Sequence, residues 1–255
     1  MCVDALSGRR KTTRGSVLEA DMSSRSPRTF IDLFCGIGGF HIALSQLGAR
    51  CVFASDNNEK AMQTYRANHR AEHFAGDITA INPQDIPDHD LLCAGFPCQP
   101  FSQAGFKKGF QDARGALFAN IIDIMKAKKP KAFFLENVRH LKKHDEGKTF
   151  STIQREIEDL GYSFFSYVVY AKDHGVPQLR PRLFMIGLAD MRTFSPPAKK
   201  ALRLTMSDVM GGTCTRDVGY TLRVGGVGSG IRNRHNWDSY VVDGKVERLT
   251  VVKAL

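Results

Sequence analysis

The stretch DLFCGIGGF, Asp32 to Phe40, decides the fold. It closes the short apolar run Phe30–Phe34, and the residues after it, Phe40–Leu47, have helical spacing. A strand, a glycine-rich turn and a helix in that order predict the first unit of an α/β sheet. Glycines at such a turn let the backbone approach a ligand closely and leave helix N–H groups free. The same residues also suit a plain tight turn. The cluster is not the dinucleotide pattern G-x-G-x-x-G, because His41 stands where the last glycine would be.

Outward from this turn the alternation continues. Cys51–Ala54, Leu91–Ala94, Ala132–Leu135, Phe164–Tyr170 and Leu183–Leu188 are expected strands, with expected helices at Glu59–Asn68, Leu117–Lys128 and Thr152–Leu160. Strands separated by helices predict a mainly parallel sheet covered on both faces, with ligands bound at the carboxyl ends of its strands. Near Ser195-Pro196-Pro197 the alternation stops, and the Gly-, Arg- and Thr-rich remainder has no strong period. The expected organisation is a disordered basic leader at residues 1–28, a catalytic domain at 29–192 and a small irregular region at 193–255.

Composition narrows the function. No run of about 18 apolar residues occurs, so no membrane span is expected, and Met1 to Arg28 lacks the apolar core of a secretory signal. Six cysteines without paired spacing suggest reduced thiols in a cytoplasmic protein, with Cys51 and Cys93 as small core residues and no metal site. The net charge of +10 is uneven. Residues 1–29 carry six basic and three acidic side chains, and residues 199–255 carry ten basic and five acidic, so the 169 residues between hold only +2. A basic C-terminal part on a nearly neutral body suggests a polyanion partner.

Five further features carry chemistry. Asp56, at the end of the second strand, can accept hydrogen bonds from a ribose, and Asp77 in GDI can take an adenine amino group. Each carboxylate alone is more often a cap, but with the glycine turn they point to an adenosyl ligand. GFPCQPFS, Gly95 to Ser102, follows an apolar strand; Pro97 and Pro100 stiffen the loop around Cys98, which core packing explains poorly. In FFLENV, Phe133 to Val138, Glu136 ends an apolar strand, where burial should raise its pKa and let it donate to a ring nitrogen. The alternative there is a helix N-cap, for which Asn137 is the better candidate. In QLRPRLFMIG, Arg180 and Arg182 are two apart and so share a strand face, suited to phosphate or a flipped base, or else to an exposed edge.

In order and spacing, these motifs resemble those of the DNA cytosine-5 methyltransferase family over residues 29–190, with RGALF (Arg114–Phe118) as a further match. The resemblance implies a Rossmann-like S-adenosylmethionine-dependent fold, with Cys98 as nucleophile and Glu136, Arg180 and Arg182 acting on the base. It implies an S-adenosylmethionine site lined by Phe34, Gly36, Ile37, Gly39, Asp56, Asp77, Ile78, Pro97 and Leu117. It also implies methylation of a cytosine flipped out of double-stranded DNA, in a bacterial restriction–modification setting. Residues 193–255 resemble a target-recognition region only loosely, with Arg223, Arg232 and Arg234 as candidate DNA contacts. The sequence departs from the family where an aromatic often stacks on adenine. Asn57 stands there, so that contact is weaker or comes from Phe34. RLT, Arg248 to Thr250, resembles the start of the family's next helical motif; the expectation is a fragment of a longer chain, a protein that needs a second chain, or a truncated relative with little activity. The alternatives are a tRNA cytosine-5 methyltransferase, which shares these motifs, and a truncated non-catalytic nucleic-acid-binding relative.

Overall fold

The computed structural model describes residues 28–97, 116–221 and 239–249. In chain order the first elements are β1 (Thr29–Leu33), α1 (Gly39–Ser45), β2 (Arg50–Ser55), α2 (Glu59–Asn68), β3 (His73–Ala75) and β4 (Leu91–Ala94). Then come α3 (Ala116–Lys128), β5 (Ala132–Val138), α4 (Lys148–Glu158), β6 (Phe165–Tyr170), β7 (Gln178–Leu179) and β8 (Pro181–Leu188). The remaining elements are α5 (Met206–Met210), β9 (Gly219–Tyr220), β10 (Ser239–Val242) and β11 (Lys245–Arg248).

Seven strands form the central sheet in the order β3-β2-β1-β4-β5-β8-β6. β1 pairs in parallel with both β2 and β4, β3 continues from β2, and β5 continues from β4. β8 alone runs the other way, antiparallel to β5 and to β6. The order reverses between β1 and β4, which makes the carboxyl ends of those two strands the topological switch point.

Alternate side chains feed two cores. On one face Ile31, Leu33, Leu92, Ala94, Phe133 and Leu135 pack with Phe118, Ile121 and Met125 of α3 and with Ile153 and Ile157 of α4. On the other, Phe30, Cys51, Ala54, Leu91 and Cys93 pack with Leu44 of α1 and Met62 and Tyr65 of α2. Coverage of both faces explains why β4 reads as a continuous apolar run, and why β1 is apolar from Phe30 to Leu33 apart from the buried Asp32. It also fixes Cys51 and Cys93 as buried core thiols, with burial pushing Cys51 up to about 12. α2 starts where the Asn58 side chain accepts from the Ala61 amide at 3.1 Å and stops at the extended His69.

Three expectations change. α4 begins at Lys148, four residues before Thr152, because it is entered through the left-handed Gly147 (φ 88°) and not through a Ser, Thr or Asp cap. Arg180 precedes β8, in the link from β7, so the two arginines do not share a strand face. The stretch after residue 193 is not wholly irregular. α5 carries a capping box between Thr205 and Asp208, and β10 and β11 form an antiparallel hairpin. Met206, Met210, Tyr240 and Val242 pack as a small third core. Elements of four or five residues are too short to leave a period in sequence. Arg248 closes β11 and Leu249 packs against the same small core, so the RLT motif opens on a strand within the described residues.

Candidate active site

Because β1 to β5 are parallel, the residues that follow them gather along one edge of the sheet. The antiparallel β8 starts at that same edge. The turn Phe34–Gly39 leaves β1 there, Asp56 leaves β2, Asp77 follows β3, and Gly95–Pro97 leave β4. Glu136 stands one position beyond the register pair Ala94↔Leu135, beside Gly95, and Arg182, the second residue of β8, lies opposite Val138.

The glycine turn is held at several points. The Gly36 amide donates to Asp56 Oδ2 at 2.8 Å, the Gly38 amide to the Cys35 carbonyl at 2.9 Å, and the Cys35 amide to the Ser55 carbonyl at 3.1 Å. The second carboxylate oxygen of Asp56 accepts from the Asn58 amide at 2.8 Å, so this side chain joins the turn after β1 to the start of α2. Phe34 (φ 53°) and Gly36 (φ 55°) are both left-handed, which sets a sharp bend. A Cβ built on Gly36 or Gly39 would meet nothing within 4 Å, and Ile37 is 65% exposed, so open space borders the turn. Asp77 caps the following 3-10 turn, accepting from the Thr79 amide and hydroxyl at 2.9 and 2.8 Å through Oδ1. Ile78 is buried in the core, Leu117 packs against it, and Pro97 is exposed.

Glu136 lies on the opposite face of β5 from Phe133, Leu135 and Asn137, and is half-buried. Its Oε1 accepts from Arg182 Nε at 2.7 Å, and Arg182 Nη1 donates to the Pro181 carbonyl at 2.8 Å. Burial raises the Glu136 carboxyl above the usual glutamate value, and the nearby charges of Arg182 and Arg180 oppose that rise without cancelling it. A Cβ on Gly95 would sit 3.8 Å from Glu136 Oε2 and 3.6 Å from the Phe34 carbonyl, so Gly95 bridges the glycine turn and the acid.

Asn137 is not a helix cap. β5 runs on through Val138, which turns the Asn137 side chain inward at 2% exposure. There Nδ2 donates to the Phe96 carbonyl at 2.9 Å and Oδ1 accepts from the Val138 amide at 2.8 Å. The strand thus grips the segment that leads from β4 to Cys98. Cys98 itself, and Arg223, Arg232 and Arg234, lie outside the described residues.

The family model of C-5 cytosine-specific DNA methylases matches residues 28–213. The chain belongs to this family. The match spans the whole edge just described, from β1 to beyond β8. Among similar proteins, the Type II methyltransferase M.NlaX of Neisseria lactamica is 53% identical over 159 residues, covering 62% of this chain and 51% of the relative. M.HhaI of Haemophilus parahaemolyticus is 48% identical over 157 residues, 62% of this chain and 48% of its own. M.HpaII of Haemophilus parainfluenzae is 46% identical over 198 residues, with 75% and 55% covered. The chain therefore spans about half the length of the curated relatives it matches. Among solved structures, the S. pombe Dnmt2 methyltransferase superposes with TM-score 0.55 at 25% identity over 66% of this chain and 52% of that one. The Entamoeba histolytica methyltransferase EhMeth, at 22% identity, shares the fold with TM-score 0.59 over 71% and 59% of the two chains. Among the described residues of this family member, no helix is long and apolar enough to cross a membrane.

Asn137 was expected only as a candidate helix cap, and His69, whose Nε2 lies 3.0 Å from the Ile37 carbonyl, was not expected at the site at all. The inward turn of Asn137 needed the strand's end to be known, since its neighbour Glu136 masks the alternation. His69 sits at the end of a polar helix, and no local signal marks its reach back to the glycine turn.

Proposed function

We propose that the chain is the catalytic part of a DNA cytosine-5 methyltransferase that uses S-adenosylmethionine, acting in a bacterial cytoplasm within a restriction–modification system. The observation that carries this reading is the placement of Glu136 and Arg182 beside Gly95, on the strand end that leads to Cys98. The residues fit the cofactor. The open, glycine-lined turn accommodates close backbone approach, and Asp56 and Asp77 stand at successive strand ends where a ribose and an adenine would follow. Phe34, Gly36, Ile37, Gly39, Ile78, Pro97 and Leu117 would complete that site. S-adenosylmethionine, when bound, supplies the methyl group on an electrophilic sulfonium.

The chain's own residues do the rest. Cys98, as thiolate, adds to carbon 6 of a cytosine flipped from duplex DNA, and the electron pair of the carbon 5–carbon 6 double bond moves to make carbon 5 nucleophilic. Glu136 in its acid form donates to ring nitrogen 3 and favours that addition, and Arg182, with Arg180 beside it, steadies the base. After methyl transfer, a base takes the proton from carbon 5, and the freed electron pair re-forms the carbon 5–carbon 6 double bond and expels the Cys98 thiolate. Residues 193–255 form part of a target-recognition region in which Arg223, Arg232 and Arg234 contact DNA.

The test is covalent trapping. Duplex DNA containing 5-fluorocytosine, incubated with the chain and S-adenosylmethionine, should give an adduct that Cys98→Ser abolishes. An adduct formed only with tRNA would move the substrate to RNA. None with either would leave a nucleic-acid-binding relative without turnover.

A further inference from the structure

A train of polar rings lies under the glycine turn, on the α1 and α2 side of the sheet. Asp32 of β1 is fully buried and accepts from the Tyr65 hydroxyl at 3.4 Å. The Tyr65 hydroxyl is 2.7 Å from His41 Nδ1, and the His41 ring stacks on His69 at 4.6 Å with 26° between planes. Burial lowers His41 to about 4, so it stays neutral beside His69. His69 is the outermost member. Its Nε2 lies 3.0 Å from the Ile37 carbonyl, and because a carbonyl only accepts, Nε2 carries the proton and donates.

The contact is close enough to constrain the turn. Gly38 is left-handed (φ 97°), and a Cβ there would fall 2.3 Å from both Cδ2 and Nε2 of His69. The ring therefore packs directly on the Gly38 backbone while holding the carbonyl before it. Of the groups that fix the turn, Asp56 and the Cys35 carbonyl hold N–H groups, and His69 holds the Ile37–Gly38 peptide by its oxygen. That peptide plane determines how Ile37 stands out into the open space.

We infer that His69 is a positioning residue for cofactor binding, orienting the Ile37–Gly38 peptide through its Nε2–H and its ring. This rests on the glycine turn being the S-adenosylmethionine site. His69 does not touch the cofactor; it sets the backbone that does.

The experiment uses the 255-residue chain, S-adenosylhomocysteine as probe in titration calorimetry, and hydrogen–deuterium exchange of the amides of residues 34–40. His69→Phe keeps a flat ring against His41 and Gly38 but removes the donor. It should weaken binding about three- to tenfold and speed exchange in the turn, with little change in melting temperature. His69→Gln, which keeps a donor of similar reach, should recover part of the affinity. If His69→Phe fails to fold, His69→Gln against His69→Met makes the same contrast between a retained and a lost donor. A wild-type chain that binds, with His69→Phe of equal affinity and equal exchange, overturns the positioning role alone. A wild-type chain that does not bind overturns the cofactor reading on which it stands.

Discussion

Replacing Asn137 by alanine should loosen the segment that carries Cys98 at a calculable cost. Asn137 is 2% exposed and its partner residue Phe96 is 3% exposed, so water cannot easily substitute for the 2.9 Å bond between Nδ2 and the Phe96 carbonyl. Removing a donor from a buried acceptor costs about 1–3 kcal/mol. The second bond, from the Val138 amide to Oδ1, matters less because Val138 is 38% exposed and its amide can find water. Asn137→Asp has the same shape but sets an acceptor against the carbonyl and buries a carboxylate, so it should cost more than alanine. Urea unfolding at neutral pH, read at constant m-value, gives the two differences. The covalent trapping rate of Cys98 should fall in the same order, alanine before aspartate. If both variants unfold within about 0.5 kcal/mol of wild type, the size expected of ordinary surface substitutions, and trap at the wild-type rate, then Asn137 does not hold the loop.

Gly187→Ala should be severely destabilising, by about 3 kcal/mol or more, because the new methyl would fall 2.1 Å from the Ser163 carbonyl and 2.2 Å from the Phe133 ring; a wild-type melting curve would contradict that packing. Glu136→Gln should change how stability depends on pH. Burial raises the folded Glu136 pKa above its ordinary value of 4.5, so its stabilising contribution is present below that value and is lost as pH rises through the folded pKa. The stability of wild type relative to the glutamine variant should therefore decline from acid to neutral pH, and a flat or rising difference in urea titrations would be evidence against a raised carboxyl. Arg182→Gln should raise the apparent pKa of Glu136 further, measurable by carboxyl infrared or carbon NMR titration, since a favourable charge is lost 2.7 Å from the acid.

Sequence reading recovered most of the sheet because burial on both faces leaves a strong signal. β4 and α2 fall on the expected residues, β1 and β2 move by one position at both ends, and β6 and α3 move by one position at their starts. β3, with three residues, is too short to stand out. The direction of β8 could not be read from alternation alone. It enters between β5 and β6 and pairs antiparallel with both, through a link from β6 that contains no crossover helix. The candidate site was legible as a set of residues but not as contacts. Asp56 was expected to meet a ribose; its two oxygens also accept from the Gly36 and Asn58 amides, which ties two turns together. Side chains that act through backbone across 20 or more positions, such as Asp56 on Gly36 or His69 on Ile37, leave no local pattern.

The reversed direction of β8 bears directly on the chemistry. In a fully parallel sheet the start of the strand beside β5 would lie at the amino-terminal edge, far from Glu136. Running β8 antiparallel brings its first residues to the carboxyl edge, and places Arg182 against the acid. The pairing then imposes two opposed demands on one carboxyl. Burial favours the neutral acid, which the proposed reaction needs as a donor, while Arg182 favours the anion. The first effect is the larger, so the Glu136 pKa lies above its ordinary value despite Arg182. A guanidinium kept only to tune charge would be dispensable here, since its removal should make Glu136 a more persistent acid. Loss of trapping in Arg182→Gln, alongside that raised pKa, would thus assign Arg182 to holding the base and not to setting the proton.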